Sequence, residues 1–196
     1  MKAQTNVQRS LFRLIIFMFA VMLVGCSNNN QTNQQQPAEG NQPTTESQAH
    51  EHMDHSSSAE VPENLKAAAD PAYPVGSKVL IHANHMSGMQ GAEGTVVGAY
   101  DTVAYMITYT PTTGGPKVEH HKWVVQEELM DAGRDQLEPG TEVKLNASHM
   151  KGMEGAAAVI ESAEPSTVYM LDYVPTTGGE EVKNHKWVTE GELSAK

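Results

Sequence analysis

His85-Met86-Ser87-Gly88-Met89-Gln90-Gly91-Ala92 recurs 64 residues further along as His149-Met150-Lys151-Gly152-Met153-Glu154-Gly155-Ala156. Extended in both directions, the match pairs residues 76–129 with 140–193 without a gap, and 25 of the 54 pairs are identical. Tyr105-Met106-Ile107-Thr108-Tyr109 returns as Tyr169-Met170-Leu171-Asp172-Tyr173, Pro111-Thr112-Thr113-Gly114-Gly115 as Pro175-Thr176-Thr177-Gly178-Gly179, and His121-Lys122-Trp123-Val124 as His185-Lys186-Trp187-Val188. A fixed period over this length marks a duplicated structural unit, so the fold question reduces to one unit of about 55 residues, present twice.

Each copy reads as a run of short strands. Residues 78–83 follow Gly76, and a glycine-rich turn leads to the β-branched run 94–99. The alternating stretch 103–109 comes next, and the Pro-Thr-Thr-Gly-Gly turn then leads into a strand over 118–125. In that last strand, strict alternation puts His121 and Trp123 on one face. Gly76-x-x-Val79 followed by Gly91-x-x-Gly94-x-Val96-Val97 resembles the SH3-like barrels of the KOW type. The expected fold is therefore mainly β, with two tandem small SH3-like (KOW-like) barrel modules at 73–131 and 137–196. Units of this size bury little surface alone, so the two are expected to pack on each other.

The N-terminus reads as an export signal. Lys2, Arg9 and Arg13 form a basic region, and residues 11–24 are a nearly unbroken apolar run, too short for a permanent span but suited to a signal peptide. It ends in Leu23-Val24-Gly25-Cys26, which resembles the bacterial lipobox. Residues 1–25 are thus expected to be removed and Cys26, the one cysteine, to be lipidated on the outer face of the cell membrane. Residues 26–72 are expected to form a disordered stalk, since 27–58 holds almost no apolar residue. The exception is a turn or two of helix at 61–69, before Pro71 and Pro74.

Charge and composition narrow the function. The chain carries 24 acidic and 13 basic residues, a net charge of −11, which gives no footprint for a nucleic-acid backbone. Loss of residues 1–25 removes three basic and no acidic residues, deepening this to 10 − 24 = −14. No nucleophile elbow, phosphate loop or His-x-x-x-His zinc-hydrolase pattern is present, so a binder rather than an enzyme is expected. A single cysteine supplies neither an internal disulfide nor a multi-thiolate zinc site.

Histidine and methionine are the unusual residues, nine and eleven in the chain. Imidazole and thioether without thiolate suit copper ahead of zinc, and poorly suit calcium or magnesium. The His-Met-x-Gly-Met loops offer His85, Met86 and Met89, then His149, Met150 and Met153, with glycine allowing a tight turn so that each trio converges on an ion. The competing reading makes the methionines adaptable core filler and the histidine a turn cap. His121 and His185 would add an imidazole beside a covering indole, or form a wet-edged core pair. Met106 and Met170 are reserve ligands if exposed and ordinary core if buried. His82 and His120 stand apart because Asn146 and Asn184 replace them in the second copy, which makes them surface residues or ligands that render the modules unequal. In the stalk, His50, His52, Met53 and His55, with Glu51 and Asp54 between, can wrap a divalent ion.

The lipobox, the acidic His-bearing stalk and two blocks of His-Met-x-Gly-Met-x-Gly-Ala, Tyr-Met-x-x-Tyr-x-Pro-Thr-Thr-Gly-Gly and His-Lys-Trp-Val together resemble the YdhK-like lipoproteins of Gram-positive bacteria. The resemblance implies a surface lipoprotein domain, with some relatives associated with copper tolerance. The expected function is extracellular copper sequestration beside the membrane, with copper-efflux machinery as a partner. The alternative is an SH3-like module that recognises cell-wall glycan or protein without metal, and an exposed aromatic groove would mark it.

Overall fold

A computed structural model describes residues 57–196. The expected signal segment, Cys26 and the expected stalk residues His50, His52, Met53 and His55 lie outside the described residues. Among the described residues there are nine strands and no α-helix. They are β1 (Lys66–Ala67), β2 (Lys78–Ile81), β3 (Glu93–Thr110), β4 (Val118–Val125), β5 (Leu129–Met130), β6 (Glu142–Leu145), β7 (Ala157–Tyr173), β8 (Val182–Thr189) and β9 (Leu193–Ala195). Short 3-10 turns, Gln126–Glu128 and Glu190–Glu192, join β4 to β5 and β8 to β9.

The runs 94–99 and 103–109, read as separate strands, are one strand of 18 residues, and β7 is its 17-residue counterpart. Tyr100-Asp101-Thr102 contains no glycine or proline to turn the chain, so β3 continues straight on. It pairs antiparallel with β7 along its whole length, from Gly94↔Tyr173 through Thr102↔Ser166 to Thr110↔Ala157. The pairing is symmetric about Thr102 and Ser166, which are equivalent positions of the two repeats. The sheet is antiparallel in the order β5-β6-β7-β3-β2-β9, with β4 added on β3 and β8 on β7.

This long pairing exchanges strands between the repeats. One core holds Val79, Ile81, Met89 and Val96 from the first repeat with Tyr169, Leu171, Tyr173, Val188 and Leu193 from the second. The other holds Tyr105, Ile107, Tyr109 and Val124 from the first repeat with Leu145, Met153, Ala158 and Ile160 from the second. A third cluster, including Ala104, Trp123, Val125, Val168, Met170 and Trp187, also draws on both repeats. Each apolar core is thus built from the opening half of one repeat and the closing half of the other, rather than from one repeat alone.

Two local expectations change. Residues 61–69 form no helix: Pro62 and the positive φ of Asn64 (70°) interrupt it, and Lys66–Ala67 pairs instead with Tyr100 and Asp101. The end of the expected stalk, residues 57–72, is therefore part of the fold, with Leu65 and Ala68 packed on the cores. Alternation also fails in β4. Tyr105 pairs with Val124, Ile107 with His121 and Tyr109 with Val118, so β4 carries one extra residue in each interval. These bulges break the two-residue period, and Trp123, Val124 and Val125 are buried in succession.

Candidate functional site

The His-Met-x-Gly-Met loops begin the site. In the first, Met89 N–H donates to Met86 O (3.2 Å) and Ala92 N–H to Met89 O (3.0 Å), a tight double turn that carries Met89 inward. Gly88 (φ +76°) accepts at its carbonyl from Thr176 N–H (2.8 Å), so the loop of one repeat docks on the Pro-Thr-Thr-Gly-Gly turn of the other. Gly152 (φ +84°) and Thr112 repeat this at 2.9 Å. Met89 and Met153 are fully buried in the two apolar cores, so the expected convergence of each His-Met-Met trio does not occur. Met86 and Met150 line a central cleft instead.

That cleft, about 630 Å³, is walled by His85, His121, His149 and His185 together with Met86, Met150, Lys122, Lys186 and Glu192. His85 Nε2 lies 2.8 Å from Glu192 Oε1, and the other oxygen of Glu192 accepts from Trp123 Nε1 (2.8 Å) and Thr189 N–H (3.1 Å). Its counterpart has His149 Nε2 2.5 Å from Glu128 Oε1, with Glu128 Oε2 accepting from Trp187 Nε1 (3.0 Å) and Val125 N–H (3.1 Å). In each triad the indole comes from the other half of the molecule. Trp123, on the strand that closes one core, caps the carboxylate beside the other.

Burial by itself would raise the Glu192 carboxyl, but His85, Trp123 and the Thr189 amide hold it at about 2. Glu128, more deeply buried, is likewise held below the usual carboxylate range by His149, Val125 and Trp187. Both are therefore anions at neutral pH. His121 is pushed down to about 4, first by burial and then by repulsion from His149 and His85, against a smaller opposing pull from Glu128. It is a neutral imidazole at pH 7.

The rings cluster without hydrogen-bonding one another. His121 and His149 centroids are 6.3 Å apart and His85 and His185 6.5 Å, while Tyr109 and Tyr173 meet His121 and His185 edge-on at 5.7 and 5.8 Å. Three buried ring nitrogens, His85 Nδ1, His149 Nδ1 and His121 Nε2, have no hydrogen-bond partner among the described residues. No three His, Cys, Asp or Glu side chains among the described residues form a group that could by themselves hold a metal ion. A metal here would draw on one or two imidazoles and the thioethers of Met86 and Met150.

The remaining candidates separate. Met170 is buried core and Met106 packs against the same cluster. His82 Nε2 meets Ser194 Oγ at 2.8 Å and the largely exposed His120 has Nδ1 2.5 Å from Glu161 Oε2, both on the first-repeat side of the cleft. His120 and Asn184 share positive φ (54° and 51°), a conformation both residue types tolerate, which accounts for the His/Asn exchange there. Sequence reading missed Glu128 and Glu192, although the pair is identical between the repeats and in register.

The family model described as "Protein of unknown function (DUF1541)" matches residues 75–126 and again residues 139–190. The chain is 56% identical over 193 residues to the uncharacterized protein YdhK of Bacillus subtilis (strain 168), covering 97% of this chain and 92% of that protein. A crystal structure of a DUF1541 family protein (ydhK) from Bacillus subtilis has 65% identity and a TM-score of 0.72, covering 75% of this chain and 100% of that one. A solution NMR structure of the ydhK C-terminal domain from the same organism has 67% identity and a TM-score of 0.60, covering 63% of this chain and 93% of that one. With matches over both repeats and most of its length, the chain belongs to the DUF1541 family as a tandem, YdhK-like member.

Proposed function

We propose that this is a lipid-anchored protein of the extracellular face of the cell membrane that binds copper in the cleft between its halves and sequesters it outside the cell. One observation carries the reading: His85 and His149 each have one ring nitrogen fixed by a carboxylate, half-buried Glu192 or buried Glu128, and the other buried without a hydrogen-bond partner. A carboxylate behind a histidine sets the tautomer, orients the ring and raises its basicity, which is how metal-ligating imidazoles are supported. With one or two of these imidazoles, the thioethers of Met86 and Met150, which line the same cleft, complete a soft donor set. Structural zinc asks for four ligands, usually thiolate or imidazole, whereas a small imidazole–thioether set suits copper. Bound copper would supply no reaction in this reading; the protein is a binder.

The interaction-module alternative needs exposed aromatic side chains. Trp123, Trp187, Tyr105, Tyr109, Tyr169 and Tyr173 are all buried, which favours the metal reading. We also read each half as SH3-like, since β9-β2-β3-β7-β8 and β5-β6-β7-β3-β4 are equivalent five-strand orders, each with a 3-10 turn before its edge strand. The test is a Cu(I) titration of the mature chain, carrying Cys26→Ser, against a competing chelator under reducing conditions. Glu128→Gln with Glu192→Gln should weaken binding by about 10–100-fold, the usual effect of losing the groups behind metal-bound histidines. His85→Gln with His149→Gln should remove the cleft site. Affinity unchanged in both variants would refute the reading.

A further inference from the structure

The cleft joins two equivalent sets of donors, yet its two mouths differ. On the first-repeat side its walls include His82, Asn84, Ser87, Val118, Glu119 and His120. Their counterparts in the second repeat, from Asn146 to Asn184, are absent from the lining. In their place is Ser57, whose backbone N–H donates to Lys183 O (3.0 Å) and whose carbonyl accepts from Asn184 Nδ2 (3.2 Å), with its hydroxyl bonded to Asn184 O. Three residues on, Glu60 O accepts from Lys186 Nζ. Residues 57–60 thus lie as a strap across the second-repeat mouth.

A second asymmetry, encoded in different residues, coincides with the first. Only the uncovered mouth carries two additional imidazoles, His82 and His120, where the covered one has Asn146 and Asn184. His120 has its side chain 73% exposed, and His82, also exposed, is hydrogen-bonded to the Ser194 hydroxyl. A pair of ligand-type side chains where the first repeat lines the cleft, and asparagines where residues 57–60 bond over the second, is the arrangement expected of an exchange port on the first-repeat side. Packing needs would not distinguish the two mouths in this way, because the backbone at His120 and Asn184 is the same.

We propose that His82 and His120 form the loading mouth of the cleft, capturing the metal ion and passing it to the inner imidazoles. This rests on the copper reading of the cleft. His82 and His120 exchange the ion transiently and are not part of its final donor set, so they govern the rates of entry and exit and leave the equilibrium affinity unaltered.

The built-in tryptophans report the event. Trp123 lies 6.4 Å from His85 and Trp187 6.3 Å from His149, ring centroid to ring centroid, so a paramagnetic Cu(II) ion in the cleft would quench both. Stopped-flow quenching by Cu(II) is measured on the mature Cys26→Ser chain, on His82→Asn/His120→Asn, and on the reciprocal Asn146→His, Asn184 being kept because its side chain holds Ser57. Each substitution copies what the other repeat already holds at that position, which keeps the fold intact. The first variant should slow association and dissociation together by at least about tenfold, within the range that a ligand-focusing entrance contributes, while equilibrium affinity stays unchanged. The reciprocal variant should match the parent. Unchanged rates in His82→Asn/His120→Asn, with binding still lost in His85→Gln/His149→Gln, would overturn the mouth and leave the copper site standing. Quenching that persists in His85→Gln/His149→Gln would overturn both.

Discussion

At Gly88 the backbone has φ +76°, and a Cβ there would sit 2.5 Å from Thr177 Oγ1 and 2.9 Å from Pro175 Cβ. At Gly91 the φ is similar, +78°, but a Cβ would meet nothing within 4 Å. The pair separates backbone strain from steric interlock. Gly91→Ala should cost about 1 kcal/mol, the penalty for a left-handed alanine. Gly88→Ala should cost more, roughly 2–4 kcal/mol, because the turn of the other repeat must also move. Urea denaturation of the two variants checks this, and equal losses would mean that the docking of the loops contributes nothing.

Titration at the residue scale has a definite sign. Glu192 has a folded value of about 2 against 4.5 in the open chain, so its contribution is full above pH 4.5 and is lost as pH falls toward 2. His121 has a folded value of about 4 against 6.5, so folding favours its neutral form and its contribution is lost between pH 6.5 and 4. Both act in the same direction and in adjoining windows. The copper-free protein should therefore lose stability steadily from pH 6.5 downward, and His121→Gln should flatten the upper part of that slope. Denaturation midpoints measured from pH 7 to 3 test it, and an unchanged slope in the variant would show that the buried imidazole carries no such penalty. The histidines of this site were legible in the sequence because they recur in register. Their carboxylates recur as faithfully, but a glutamate near a chain turn resembles surface charge until the fold buries it.

Elements were read well where their local chemistry was complete. Val118–Val125 and its counterpart were recognised as strands, and the Pro-Thr-Thr-Gly-Gly turns as turns. Parity within β4 was not legible, since bulges leave no mark in a pattern of apolar and polar residues. Met89 shows the same limit: a methionine three residues after the cleft-lining Met86 is turned inward by two backbone hydrogen bonds that the letters do not display. β7 contains a proline, Pro165, in mid-strand opposite Val103. β6 pairs with β7 only at 157–159 and β8 only at 168–173, so the middle of β7 has β3 alone as neighbour and one open edge, the setting in which a strand proline is tolerated. Moving the proline two residues to Thr167→Pro would also remove the Thr167 hydroxyl bond to Asp101 (2.8 Å). That variant should be destabilised by about 1–3 kcal/mol, read from its thermal midpoint, whereas Pro165→Ala should change stability by less than about 1 kcal/mol.

For the molecule as a whole, the duplication was fully legible and the exchange of strands was not. Periodicity reports that two units have the same sequence, and it is silent on which half of each unit completes which core. The absence of a turn signal between Ala99 and Val103 was the available clue. A single repeat, residues 73–131, should accordingly form a homodimer in which two copies of β3 pair about Thr102, each copy completing the other's core. Light scattering over a range of concentrations decides it: a folded monomer would mean that β3 can bend back on itself.

Strand exchange also sets a rule for how such a gene can grow. An added third repeat would bring an opening half and a closing half that find no reciprocal partner within the chain, exposing apolar strand faces unless a second molecule supplied them. Copies gained or lost two at a time leave every core complete. Chains built on this exchange are therefore stable in even repeat counts, and an odd count favours pairing between molecules.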